Sequence, residues 1–160
     1  MDSIALDYKN PRTLIVTLIF VGLVVGVGAV IGTQTAPDAW YAALDKPPFN
    51  PPNWLFAPVW FTLYLLIGIA GARTFLRDAS SPAMFLWAGQ MLLNWAWSPT
   101  WFGLHLAWPA FVIIISILAL IVAFIVMTWK SDRVSALLFF PYAAWVAFAS
   151  TLNFSIAILN

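Results

Sequence analysis

The chain has 160 residues, of which 63% are hydrophobic and 8% charged, against roughly 25% charged in an ordinary soluble domain. Seven Lys and Arg and six acids, all Asp, give a net charge of +1. That is too little charge to clothe a soluble globule, there is no basic patch for nucleic acid, and the hydrophobicity is too high for disorder. No cysteine is present, which removes disulfides, thiolate metal sites and Cys nucleophiles, and a single His leaves few ingredients for a metal centre.

These numbers predict an all-α, polytopic integral membrane protein, and charges punctuate its spans. A spanning helix needs about 20 apolar residues, because the hydrocarbon core is roughly 30 Å thick. The first uncharged run holds a span over 13–32, too long for a signal-peptide core and followed by no cleavage site. Next comes the connection Thr33–Asn53. Thr35-Ala36-Pro37-Asp38 reads as a capping box before a short helix through Ala39–Leu44. The prolines of Lys46-Pro47-Pro48-Phe49-Asn50-Pro51-Pro52 predict a stiff, extended lid, with Asn50 capping the next helix and Pro51 at its first position.

The second span is predicted over 54–72, with a kink at Pro58, which removes a hydrogen bond to the Trp54 carbonyl. Ala79–Trp129 carries no formal charge and suits two spans, 82–101 and 109–129, folded back around Gly103, His105 and Pro109. The fifth span covers 134–158, where Pro141 bends or begins the helix. All five belong to one domain, 1–160. A β-barrel would show short segments alternating in polarity, which are absent. Lys9, Arg12, Arg73, Arg77, Lys130 and Arg133 fall on one side of the membrane and Lys46 alone on the other. The positive-inside rule then places the N-terminus in the cytoplasm and the C-terminus outside.

No Asp, Glu, Lys or Arg lies inside a predicted span, which argues against ion-coupled transport and charge-ringed channels. The unusual excess is aromatic: ten Trp, thirteen Phe and four Tyr. Phe56, Trp60 and Tyr64 share one face of the second span. Gln90 and Asn94, with Ser98 one turn on, mark the third; they are either interhelical glue or the placed polar groups of a ligand pocket. Tyr142, Trp145, Ala149 and Asn153 form a face of the fifth, with Ala149 leaving room. Gly22/Gly26 and Gly28/Gly32 permit close approach on two sides of the first span. His105 reads as a solvent-exposed loop histidine. Together these faces outline a cavity, covered by Lys46–Pro52, for a flat, apolar, aromatic ligand, with no cofactor or metal required.

Three spaced patterns carry a family resemblance. The first is Trp40-Tyr41-x-x-Leu44-x-Lys46-Pro47 with Pro51-Pro52-x-Trp54 and Pro58-x-Trp60. The second is Gln90-x-x-Leu93-Asn94-Trp95-Ala96-Trp97-Ser98-Pro99 with Phe102-Gly103, and the third Pro141-Tyr142-x-x-Trp145 with Leu152-Asn153. Over about residues 15–160 the chain resembles the TspO/MBR family, the tryptophan-rich sensory and translocator proteins. The resemblance implies a five-helix bundle, usually a homodimer, that binds tetrapyrroles such as protoporphyrin IX. By the same resemblance the pocket would include Tyr41, Pro51, Phe56, Trp60, Tyr64, Asn94, Trp145, Ala149 and Leu152. Light-driven porphyrin breakdown is reported for some bacterial members, which makes Trp60 and Trp145 candidate reactive residues. The sterol consensus of animal members is absent: no Tyr or basic residue follows Leu152. A missing presequence fits a bacterial cell membrane.

Overall fold

The computed structural model describes residues 9–160, and all regular structure among them is helical. Five long helices, α1 (Pro11–Gln34), α3 (Phe56–Arg77), α4 (Pro82–Ser98), α5 (Ala107–Thr128) and α6 (Arg133–Leu159), are joined by a short α2 (Ala39–Ala43). Four of them are long and apolar enough to cross a membrane. The fifth, α4, has only 17 residues, but a five-residue π turn, Pro99–Gly103, continues its path. The fold class is thus that of an integral membrane helix bundle.

Local chemistry explains most helix starts. Asn10 caps α1, its side chain accepting from the Arg12 amide, and Pro11 fills the first position, where an N–H would go unused. Ser81 and Pro82 repeat the device on α4, and Asp132 caps α6. The cap of α2 is Asp38, whose carboxylate accepts from the Tyr41 amide at 3.1 Å. Thr35, expected to be that cap, instead donates to the Ile31 carbonyl and shares a 2.6 Å hydrogen bond with Ser98. Nor does Asn50 cap the second span. A 3-10 turn over Asn53–Leu55 precedes α3, so Pro58 falls in the first helical turn, where its missing N–H breaks nothing, and not at an interior kink. Pro141 lies inside α6.

The second span also ends later than its charges predict. α3 runs to Arg77, and Arg73 and Thr74 are buried inside it. Arg73, read as part of the loop after the second span, therefore lies within the helix. Its guanidinium meets Asp132 from two nitrogens, at 3.2 and 2.7 Å, so a paired charge takes the place of a loop. Arg77 reaches the same carboxylate at 3.2 Å, and the Ser135 hydroxyl donates to it at 2.6 Å. Desolvation raises the Asp132 pKa, but the bonds and charges of Arg73, Ser135 and Arg77 outweigh it and hold the carboxyl below the usual range.

Packing closes the helices into a ring. α3 lies between α1 and α6, α5 lies between α6 and α4, and α4 touches α1 and α3 lightly. Close approach is bought with glycine at three points. A Cβ on Gly28 would strike the Tyr64 ring, one on Gly68 the Val21 backbone, and one on Gly71 the Trp87 indole. That indole crosses from α4 to donate to the Ile67 carbonyl of α3 at 2.9 Å. Gly22, Gly26 and Gly32, by contrast, face open space. α6 is the most enclosed helix, 44% of its most apolar window being buried, against 11% for α1. The outward faces of α1 and α5, with Leu18, Ile19, Val122 and Val126 bare, suit lipid.

Candidate functional site

Two layers occupy the inside of the ring. The deeper layer is polar. Tyr64 Oη donates to Asn94 Oδ1 at 3.1 Å, and Asn94 Nδ2 donates to Tyr142 Oη at 2.8 Å. Tyr142 Oη in turn donates to Gln90 Oε1 at 2.9 Å, and Gln90 Nε2 to the Trp87 carbonyl at 2.8 Å. The i, i+4 amides of α4 thus bind α3 and α6 together, and Gln90, Asn94 and Tyr142 are buried. Trp60 covers this layer, 5.4 Å from Tyr64 and 6.3 Å from Tyr142 between ring centroids.

Nearer the α2 end lies an apolar cavity walled by Tyr41, Phe56, Trp97, Trp101, Phe102, Ala149, Leu152, Asn153 and Ile156. Four of the residues expected there on resemblance line it: Tyr41, Phe56, Ala149 and Leu152. Pro51 is buried in the connection but not in the wall. Trp145 stands behind Phe56, with ring centroids 5.8 Å apart. Trp60, Tyr64, Gln90 and Asn94 belong to the polar layer.

The wall includes Trp97, Trp101 and Phe102, which were not among the residues expected in the pocket, although Trp97 and Phe102 stand in the second family pattern. Trp97 and Trp101 follow Gln90 and Asn94 at i+7 and i+11, a spacing that keeps all four on one helical face and would have found them. Trp101 lies in the π turn, 2% exposed, and stacks on Trp97 at 6.1 Å with nearly parallel rings. A π turn gives one residue more per turn, and here it carries the indole inward at the site of the predicted fold-back.

The cavity is about 20 Å³, space for roughly one water; pockets for small molecules run to several hundred Å³. A flat ligand therefore needs the wall to part. The section of the wall contributed from outside the five long helices and the π turn is α2, through Tyr41. Tyr41 Oη donates to Asn50 Oδ1 at 3.1 Å, and a turn from Pro47 to Asn50 folds the Lys46–Pro52 segment back, so it is compact where an extended strap was expected. Burial raises the Tyr41 pKa against the opposing pull of its Asn50 hydrogen bond. Phe49 packs on Phe148 of α6.

Polar groups at the wall are already engaged. Asn153 accepts from Trp97 Nε1 at 3.2 Å and donates to the Ala107 carbonyl at 3.1 Å. Lys46 donates to the Ala42 and Leu44 carbonyls at 3.2 and 2.9 Å, its ammonium 4.8 Å from the Tyr41 ring centroid. This cation thus caps the end of α2 beside a cavity residue. Trp145 Nε1 is buried with no hydrogen-bond partner. His105 is exposed, as expected of a loop residue, but it is not isolated. Its ring stacks on Trp40 at 4.3 Å, and Nε2 lies 3.2 Å from Asp38.

Residues 16–159 match the TspO/MBR family. A tryptophan-rich protein TspO of Archaeoglobus fulgidus is 39% identical over 150 residues, covering 91% of this chain and 96% of its own. Protein CrtK of Rhodobacter capsulatus is 38% identical over 133 residues, covering 81% and 83% respectively. The translocator protein of sheep, Ovis aries, is 39% identical over 142 residues, covering 82% and 83%. With that breadth of similarity along the bundle, this chain belongs to the TspO/MBR family.

Proposed function

We propose that this protein is a membrane receptor for a tetrapyrrole such as protoporphyrin IX, bound in the aromatic cavity beneath α2. The wall itself carries the reading: Tyr41, Phe56, Trp97, Trp101 and Phe102 converge on one apolar space with the small Ala149 at its side. Such a wall offers faces and edges to a large planar π-system. Lys46 at the rim is placed to exchange its carbonyl partners for a propionate. Family membership supports a receptor or sensor role. The protein acts as a homodimer in a bacterial cell membrane, with its N-terminus cytoplasmic. The α3 and α5–α6 ends, with Arg73, Arg77 and Asp132, gather at one end of the bundle. Lys46 lies at the other, beside Asp45, whose backbone bonds the last residue, Asn160.

The test is a fluorescence titration of the purified protein with protoporphyrin IX in the dark. Saturable quenching of indole emission, weakened in Trp101→Ala, supports the reading, and absence of saturable quenching rejects it. A second reading, light-driven porphyrin degradation, is favoured by the unpartnered Trp145 indole and by Trp60 resting on two tyrosines. An excited porphyrin can take an electron from indole, and phenylalanine is much harder to oxidise. Trp60→Phe and Trp145→Phe should then lose photodegradation while keeping most binding. Equal small losses of both would leave a receptor only.

A further inference from the structure

The end of the bundle opposite α2 holds its charges in two different states. Arg73 and Arg77 converge on Asp132, which is 3% exposed and also accepts from the Ser135 hydroxyl. That acid is engaged inside the protein. Lys130 and Arg133, on either side of it in the turn between α5 and α6, are exposed. The Arg133 guanidinium lies over the Trp129 ring, 4.8 Å from its centroid, and Trp129 packs edge-on against Phe140. Stacking occupies the face of a guanidinium and leaves its in-plane N–H fork, the geometry that grips a phosphate through two hydrogen bonds. Asp78, the other acid described at this end, accepts from Ser80 in the α3–α4 turn.

An apolar groove leads up to these two cations. It runs along the outward face of α5, is open, and encloses about 710 Å³. The small Ala119 and Ala123 lie one turn apart in it, among the larger Ile115, Val122, Val126 and Met127. Lys130 follows Val126 by four residues and Met127 by three. Trp129 between them keeps helical dihedrals, so the lysine continues the stripe that lines the groove. From Ile115 to Met127 the helix rises about 18 Å, slightly more than half of the roughly 30 Å hydrocarbon core. The groove therefore spans one leaflet and ends at the level of that leaflet's phosphates, where Trp also settles.

We propose that α5 and the α5–α6 turn form a binding site for one anionic phospholipid, with an acyl chain in the groove and the phosphate on Lys130 and Arg133. The site is separate from the aromatic cavity and does not depend on what that cavity binds. Charge complementarity selects this occupant. A second copy of the chain, docked here about a two-fold axis along the membrane normal, would set its own two cations at the same level, like charge against like. A phosphate neutralises them. A zwitterionic lipid brings the same chain and phosphate but adds a cation, so preference for an anionic headgroup falls to Lys130 and Arg133. Each is worth about five-fold in that preference.

The experiment is native mass spectrometry of the detergent-purified full chain with equimolar dioleoyl phosphatidylglycerol and dioleoyl phosphatidylcholine. Wild type should retain phosphatidylglycerol preferentially. That preference should fall about five-fold in Lys130→Gln and in Arg133→Gln, and disappear in the double variant. Arg12→Gln removes an exposed charge from the start of α1, at the same end of the bundle, and should keep the preference. Ala119→Leu with Ala123→Leu fills the groove and should weaken retention of both lipids without lowering the melting temperature. Equal retention of the two lipids by wild type, or a preference that survives in the double Gln variant, overturns the site. So does an equal loss in Arg12→Gln, which would mean that net charge alone attracts the lipid. Undiminished retention by the double Leu variant overturns the groove, and an altered oligomer size in that variant would then put a second copy of the chain there.

Discussion

Tyr142→Phe tests whether the polar layer is what joins the centre of the bundle. The change removes one oxygen and no apolar area. It strips Asn94 Nδ2 of its 2.8 Å acceptor and Gln90 Oε1 of its 2.9 Å donor. Asn94 keeps the bond from Tyr64, and Gln90 keeps its bond to the Trp87 carbonyl, so each amide is left one partner short. Gln90 is fully buried and Asn94 is 5% exposed, so water cannot substitute. Interhelical hydrogen bonds in membrane proteins average about 0.6 kcal/mol, whereas an orphaned buried group costs about 1–3 kcal/mol. Two of them bracket the loss between about 1 and 6 kcal/mol, with about 2 kcal/mol the expected value. Tyr64→Phe, which deprives one amide oxygen at a half-buried site, should cost about half as much. The assay is reversible unfolding in mixed detergent micelles, with protoporphyrin binding measured on the folded fraction. A loss below about 0.5 kcal/mol for Tyr142→Phe would refute the reasoning. A large loss of ligand affinity with stability intact would show that the amides face ligand instead.

Asp132→Ala should destabilise by about 3–5 kcal/mol, because it removes the carboxylate that pairs bidentately with the buried Arg73, and Arg73→Met with Asp132→Leu should recover much of that in thermal unfolding. The lowered Asp132 pKa sets the pH dependence: its contribution is complete above the ordinary carboxylate value of 3.8 and is lost as pH falls below it through the folded value, so acid titration of wild type but not of the double variant should show this loss. Gly28→Ala should destabilise by pressing on Tyr64, whereas Gly26→Leu, facing open space, should leave the protomer's stability unchanged and alter only its oligomer size in detergent; equal effects on melting temperature would contradict the packing of α1 on α3. Lys46→Ala should weaken protoporphyrin binding by less than about ten-fold and flatten its salt dependence, and unchanged affinity and salt slope would reject the propionate contact.

Long uncharged runs made the helices legible, because a bilayer demands uninterrupted apolar length and tolerates charge mainly at the ends. The same rule misplaced Arg73. A lone Arg reads as a boundary, and only the fold reveals that Asp132, far away in sequence, arrives to neutralise it. Tyr41, Phe56, Ala149 and Leu152 were legible as wall residues through the family patterns. The split between the two layers was not, because helical periodicity gives the face of a residue but not its depth. Gln90 and Asn94 share a face with Trp97 and Trp101, yet one pair meets tyrosines and the other lines the cavity. Caps were misread where several candidates crowd together: Thr35 and Asp38 both satisfy the pattern, and tertiary contact with Ser98 decides between them. The contacts of His105 had no signal in sequence, since Asp38 lies 67 residues away.

The division into layers also constrains recognition. Three polar side chains at the cavity wall have partners within the protein: Asn153 is engaged through both ends of its amide, Tyr41 through its hydroxyl and Trp97 through its indole N–H. A ligand that demanded hydrogen bonds from these three would have to break the existing ones, and each broken bond costs about what the new one returns. Area and shape are left as the favourable terms, and they discriminate weakly among flat apolar molecules. On the proposed reading, selectivity then comes from the rim, where Lys46 supplies charge. That arrangement needs no ionisable group within the bilayer core, and it sets the chemistry of choice at the end of the bundle where α2, His105 and Lys46 meet.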